Sequence, residues 1–214
     1  MIREKIQKWI DYRADYDILF KRMNLEGTYF YDGLYYQLHN QLGTIYDVYH
    51  EYDISGIDKD SIVLDIGANI GAFSMLASKK AKHVYAIEPL YTDILRKNIA
   101  LNKITNITVL EIGLGTGTLD LKYGKICKKV NCISLLEIIR QCTDKIDFIK
   151  CDCEGGEWAI RTEDFNNIKR LEIEVHCTLN KTIDEFLSRL INFKFDIKDN
   201  HNGSFIIHAY KLNS

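Results

Sequence analysis

Ile62-Val63-Leu64-Asp65-Ile66-Gly67-Ala68-Asn69-Ile70-Gly71 is an apolar run broken by one acid and closed by a glycine turn. The run from Ile62 to Ile66 reads as a buried strand, and Ile70 to Lys80 as a helix packed over it. Gly67 and Gly71 suit the turn between them, because a residue without a side chain takes unusual dihedral angles and lets backbone N–H groups approach a ligand.

Outward from that turn, strand and helix alternate. His83 to Glu88, Ile107 to Ile112, Lys145 to Cys151 and Arg170 to Cys177 read as strands, with helices over Thr92 to Asn102 and Ser134 to Gln141 and a short one over Glu157 to Asp164. Such alternation builds a parallel sheet with helices on both faces. After a helix over Ile183 to Leu190, the strands Phe193 to Lys198 and Ser204 to Leu212 are too close in sequence for a crossover helix, so they form an antiparallel hairpin. The expected fold is therefore α/β and Rossmann-like: a mostly parallel seven-stranded sheet ending in a C-terminal antiparallel hairpin, the class I methyltransferase arrangement. Residues 1–55 read as a helical and hairpin cap, with a helix near the start, a hairpin around Asp32-Gly33 and a helix over Thr44 to Tyr52; residues 56–214 carry the binding domain.

Bulk properties fit one soluble domain. The 214 residues are 46% hydrophobic and 27% charged, with a formal net charge of -2, which gives no overall attraction to nucleic acid or anionic lipid. The charges scattered through Met1 to Phe20 leave no signal-like or spanning run, so a cytoplasmic location without membrane attachment is expected. Six cysteines lack paired metal-binding spacing and read as reduced thiols; no metal site is expected.

Two carboxylates characterise the turn. Asp65 at the mouth would repel a pyrophosphate but complement a cation such as the sulfonium and α-ammonium of S-adenosylmethionine. Glu88, closing the second strand ahead of Pro89, stands where such folds put an acid on ribose hydroxyls. With Gly67, Ala68, Asn69, Gly71, Pro89, Gly113 and Leu114, these make up the expected site for S-adenosylmethionine and its product S-adenosylhomocysteine.

Further along, Asp65-Ile-Gly-Ala-Asn-Ile-Gly71, Ala86-Ile-Glu-Pro89, Phe148-Ile-Lys-Cys-Asp-Cys-Glu-Gly155 and Glu174-Val-His176 resemble, in order, the motifs of the FkbM-type methyltransferases. The resemblance implies O-methylation of a hydroxyl on a sugar or natural product. Cys151 and Cys153 depart from it, standing where the family more often has aliphatic residues. Asp152 or His176 is the expected general base, with Glu154 and Glu157 orienting the acceptor or the base. The tyrosines Tyr29, Tyr31, Tyr35, Tyr36, Tyr46, Tyr49 and Tyr52 suggest an aromatic lid, a hydrophobic cap or a homodimer interface. Val63 to Asn102 also resembles archaeal-type tRNA methyltransferases, but Asp152-Cys-Glu-Gly-Gly156 is acidic where those carry an Asn-Pro-Pro-like segment. A small-molecule or carbohydrate acceptor is therefore expected and nucleic acid disfavoured. A non-catalytic partner subunit keeping the same cofactor fold is the remaining alternative.

Overall fold

The computed structural model describes residues 27–37, 42–123, 126–200 and 203–212. The helix expected near the start of the chain lies outside these residues. The central sheet has seven strands: β3 (Ile62–Ile66), β4 (His83–Ile87), β5 (Ile107–Leu110), β9 (Phe148–Cys151), β10 (Arg170–His176), β11 (Phe193–Asp199) and β12 (Ser204–Lys211). Their order is β11-β12-β10-β9-β3-β4-β5. Strands β5, β4, β3, β9 and β10 run parallel, whereas β12 pairs antiparallel with both β10 and β11. This is the expected class I arrangement with its terminal hairpin.

Both faces of the sheet are covered, which is why β3 is buried at all five positions. Ile62, Leu64 and Ile66 point into a core shared with Leu135 and Ile138 of α4 (Leu135–Gln141) and Phe186 of α5 (Ile183–Leu187). Val63 points to the other face, against Phe73 and Met75 of α2 (Ala72–Ser78) and Ile45 and Val48 of α1 (Leu42–Glu51). Each such side chain contributes about 1.5 to 3 kcal/mol through burial. Ser134 caps α4 in a reciprocal arrangement with Glu137.

The hairpin of β1 (Thr28–Tyr31) and β2 (Leu34–Gln37) docks on α3 (Thr92–Leu101) through two asparagines. Asn98 Oδ1 accepts from Gln37 N at 2.6 Å and Asn102 Oδ1 from Tyr35 N at 2.7 Å. Tyr29 and Tyr36 are buried among apolar residues, and Tyr31 packs edge-on against Tyr49. Tyr29, Tyr36 and Tyr52 are thus buried, Tyr35 is exposed and the others are half-buried; of those expected to form a lid, Tyr52 alone lines the cavity described below.

One local expectation is corrected. Residues after β9 form two 3-10 turns, Gly156–Ala159 and Thr162–Phe165, in place of one α-helix. The segment after β5 folds into its own sheet of β6 (Gly113–Leu114), β7 (Gly117–Tyr123) and β8 (Ile126–Ile133).

One row across the central sheet is charged. Asp65 of β3 is in register with Lys150 of β9, Lys150 with Glu172 of β10, and Glu172 with His208 of β12. His208 Nδ1 and Glu172 Oε2 lie 2.5 Å apart, so acid and base alternate in sign along the row. Alternation answers each buried charge with a neighbour of opposite sign.

Candidate active site

Past the carboxyl ends of β3, β4, β9 and β10 lies a cavity of about 840 Å³. Its position follows from the fold, since ligands in open α/β sheets sit outside those strand ends. On one side it is lined by Gly67, Ala68, Asn69, Glu88, Pro89, Gly113 and Leu114. On the other side stand Asp152, Glu154, Glu174 and His176, joined by Asp47, Glu51 and Tyr52 of the cap.

The glycine turn is tied down by its neighbours. Gly67 N and Ala68 N both donate to Ile87 O at 3.0 Å. Gly67 has φ 76°, and a Cβ there would lie 1.7 Å from the Asp152 carbonyl oxygen. Glycine at 67 is therefore required by the packing of the turn onto the chain at Asp152. Gly71, with φ 92°, is the N-cap residue of α2 and faces Leu95 rather than the cavity.

The two acids differ from the expectation in instructive ways. Asp65 is fully buried behind the turn: its Oδ2 accepts from Ser74 Oγ at 2.5 Å and its Oδ1 lies 3.5 Å from Lys150 Nζ. Burial pushes its carboxyl up, opposed by the charge of Lys150 and the Ser74 hydrogen bond. Asp65 thus braces the turn from behind and does not line the mouth. Glu88 does line it, and already accepts from Leu90 N at 2.6 Å, Tyr91 N at 2.9 Å and Asn69 N at 2.7 Å. Burial pushes the Glu88 carboxyl up despite those three donors. A carboxylate offers about four lone-pair directions, so room remains for one ribose hydroxyl rather than two.

S-adenosylmethionine fits this side of the cavity. Asn69 Oδ1 is a buried acceptor without a hydrogen-bond partner, on a residue that lines the cavity, and an ammonium or hydroxyl of a bound nucleoside would satisfy it.

At the other end, Asp152 is part-exposed and accepts from Tyr52 Oη at 3.2 Å; the same hydroxyl is 3.4 Å from Glu174 Oε2. Asn200 Nδ2 donates to Glu174 Oε1 at 3.0 Å. Glu157 is fully buried and outside the cavity lining. Its Oε2 accepts from Gly155 N at 2.8 Å, and its Oε1 accepts from His176 N at 2.7 Å and faces His176 Nδ1 at 3.3 Å. It therefore orients His176 and touches no acceptor. Glu154 is exposed, 3.5 Å from His176 Nε2, on backbone with φ 55°.

Electrostatics separate the two candidate bases. Burial pulls the His176 pKa down, but the hydrogen bond and charge of Glu157, with Glu174 and Glu154, outweigh it and lift it to about 9. With its pKa lifted to about 9, His176 holds its proton at neutral pH and is poorly placed to accept another.

Sequence reading assigned no role to Lys150, Asp47 or Glu51, and named Tyr52 only among the tyrosines of the cap. Burial, followed by the charges of Glu174 and Asp152, lifts Asp47 to about 6. Glu51 rises to about 7 through burial and then Asp47 and Glu174. Asp47 and Glu51 share one face of α1 by their spacing, but nothing in the sequence shows that this face meets the strand ends. The ligand atoms of Asp152, Glu174 and His176 fall within 4.8 Å of one another, close enough for a divalent cation to draw together.

The strand order and the cavity define a class I methyltransferase fold. Residues 65–195 match the family model described as the methyltransferase FkbM domain, and the chain belongs to that family. It is 37% identical over 81 residues to methyltransferase sdnD of Sordaria araneosa, covering 35% of this chain and 31% of that protein. It is 42% identical over 57 residues to the probable ribosomal RNA small subunit methyltransferase A of Methanosphaera stadtmanae, covering 26% of this chain and 21% of that one. The matched parts thus span less than a third of these relatives' length. Among solved structures, TYW2 of M. jannaschii in complex with AdoMet superposes with TM-score 0.55 at 16% identity, covering 86% of each chain. An rRNA methylase of Streptococcus thermophilus superposes with TM-score 0.54 at 13% identity, covering 80% of this chain and 95% of that one.

These likenesses correct one expectation. Nucleic acid does not stand as a disfavoured partner, because this architecture and part of this sequence are shared with proteins named as RNA methylases. Among the described residues, no helix is long and apolar enough to cross a membrane.

Proposed function

We propose that the chain methylates a hydroxyl oxygen held against Asp152, with Asp152 taking the proton. The observation that carries this reading is the position of Asp152: its carboxylate lines the cavity, its backbone packs on the donor turn, and Tyr52 holds it beside Glu174. Bound S-adenosylmethionine supplies a methyl group already activated by its positive sulfur. The chain supplies alignment and a base. With the donor bound, its carbon–sulfur bond would break as the acceptor oxygen takes the methyl carbon, giving S-adenosylhomocysteine, and Asp152 would receive the acceptor proton. His176, fixed by Glu157, keeps a positive charge beside Glu154 and Glu174 and so holds that wall in place.

Two readings of the acceptor have support. Likeness to proteins named as RNA methylases favours a hydroxyl or base of RNA. Resemblance to FkbM enzymes favours a sugar or natural-product hydroxyl. The cavity wall of Asp47, Glu51, Asp152 and Glu174 bears on both, since it suits an acceptor whose reacting end carries no negative charge. Under the RNA reading, a nucleoside enters while its phosphates stay outside.

Labelled S-adenosylmethionine offered with total RNA, and separately with a panel of sugars and hydroxylated small molecules, divides the two. Transfer to RNA that weakens steeply with salt supports the first; salt-insensitive transfer to the panel supports the second. Donor binding with transfer to neither indicates a non-catalytic subunit. With the acceptor in hand, Asp152→Asn is expected to lower kcat about 100-fold, the scale of general-base catalysis, with S-adenosylhomocysteine affinity changed less than about threefold. Wild-type turnover in that variant rejects Asp152 as the base, and turnover that disappears on exhaustive chelation replaces direct base catalysis by a cation at Asp152, Glu174 and His176.

A further inference from the structure

Among the described residues, Lys150 is the one buried lysine, its side chain 3% exposed in the middle of β9. Burying an ammonium costs several kcal/mol unless charged and polar partners answer it, so its surroundings show what holds it there. Nζ donates to Gly67 O at 3.1 Å and lies 3.5 Å from Asp65 Oδ1 and 3.8 Å from Asp152 Oδ2. The ring of Tyr52 closes over it, centroid 5.3 Å away, while the Tyr52 hydroxyl donates to Asp152. The ammonium therefore meets the turn that borders the donor side, the acid that braces that turn from behind, and the acid that faces the acceptor.

We propose that Lys150 is a positioning residue for methyl transfer, clamping the Gly67 turn to Asp152 and setting the positive charge beneath the cavity. This rests on the donor and base assignments above. Neutralising Asp65 alone would require contact with Asp65 alone. The ammonium instead donates its hydrogen bond to the Gly67 carbonyl and divides its charge between Asp65 and Asp152. Backbone contacts reinforce the same junction: Asp152 N donates to Ile66 O at 3.0 Å, and Gly67 packs so closely on the Asp152 carbonyl that no Cβ fits between them. Lys150 thus joins two halves of the site that the main chain already brings into contact.

Calorimetry with S-adenosylmethionine and S-adenosylhomocysteine on the full chain tests this without an acceptor. The two ligands differ by one methyl group and the positive charge it gives sulfur, so a change in the ratio of their affinities towards the charged ligand reads the local field. Lys150→Met is expected to shift that ratio towards the sulfonium ligand by about threefold or more, because a nearby positive charge is gone. A second comparison sets Asp65→Asn against the double variant Asp65→Asn/Lys150→Met, a background in which no Asp65 charge needs neutralising. There the loss of Lys150 is expected to weaken S-adenosylhomocysteine about tenfold, as the turn loses its clamp.

An unchanged ratio in Lys150→Met overturns the proposal, as does equal affinity in the two Asp65→Asn backgrounds; either result leaves Lys150 as a counter-charge for Asp65. If Asp65→Asn does not fold, the ratio measured in Lys150→Met decides alone. Failure of the wild-type chain to bind either nucleoside sinks the donor assignment instead, and is told apart by that.

Discussion

Alanine at position 67 is expected to destabilise the protein by about 4 kcal/mol or more and to abolish nucleoside binding. The residue has φ 76°, and the added Cβ would sit 1.7 Å from Asp152 O and 2.7 Å from its carbonyl carbon. Both atoms are backbone, so relief requires moving the end of β9 away from β3 and breaking the Asp152 N to Ile66 O hydrogen bond. Left-handed backbone costs a residue with a Cβ about 1 kcal/mol, and overpacking against immobile atoms adds up to about 3 kcal/mol or more. Gly155→Ala is the control. That glycine has φ 100°, but an added Cβ would meet nothing within 4 Å, so only the backbone cost of about 1 kcal/mol applies. Urea unfolding of the two variants checks the contrast, and equal midpoints would refute the packing account. The same geometry ties the turn to Asp152: displacing one displaces the other.

The sheet was legible because its strands are runs of apolar residues between turn signals, and β3, β4, β10 and the terminal hairpin lie within one or two residues of their expected limits. The accessory sheet of β6, β7 and β8 was less so. Half of β8 is exposed, with Lys128 and Lys129 adjacent, and a strand that rests little of its length on a core gives a weak pattern. Within the site, Glu88, Asp152 and His176 were visible because each follows or closes a strand. The role of Asp65 was not. Its position in a strand places it near the cavity, but whether it faces a ligand depends on Lys150, which stands far along the chain and becomes its neighbour only through the β3–β9 register. Lys150 itself stood inside the Phe148–Gly155 motif with no role attached to it. Tertiary partners decided both, and no local pattern encodes them.

Removing the Glu157 carboxylate is expected to cost about 3 to 5 kcal/mol, the scale of breaking a buried charged pair. Alanine there strands the Gly155 and His176 backbone N–H groups and leaves the His176 ring without its closest acid. Glutamine separates the two losses, since it keeps an acceptor and removes the charge. The His176 pKa is about 9 in the folded chain against 6.5 as the ordinary value, so this histidine binds its proton more tightly when folded. Its stabilisation is complete below pH 6.5 and is lost as pH rises through 9. Glu157 supplies the largest share of the upward shift, and Glu174 and Glu154 the remainder. The stability gap between wild type and Glu157→Gln is therefore expected to be widest near pH 6 and to narrow by about 1 to 2 kcal/mol by pH 9.5. Urea titrations at those two pH values measure it, and a gap that stays constant rejects the imidazolium. The same charge state governs the chemistry. With His176 protonated, turnover through Asp152 needs no loss of a proton from the ring, whereas kcat that climbs only as pH approaches 9 would transfer the role of base to His176.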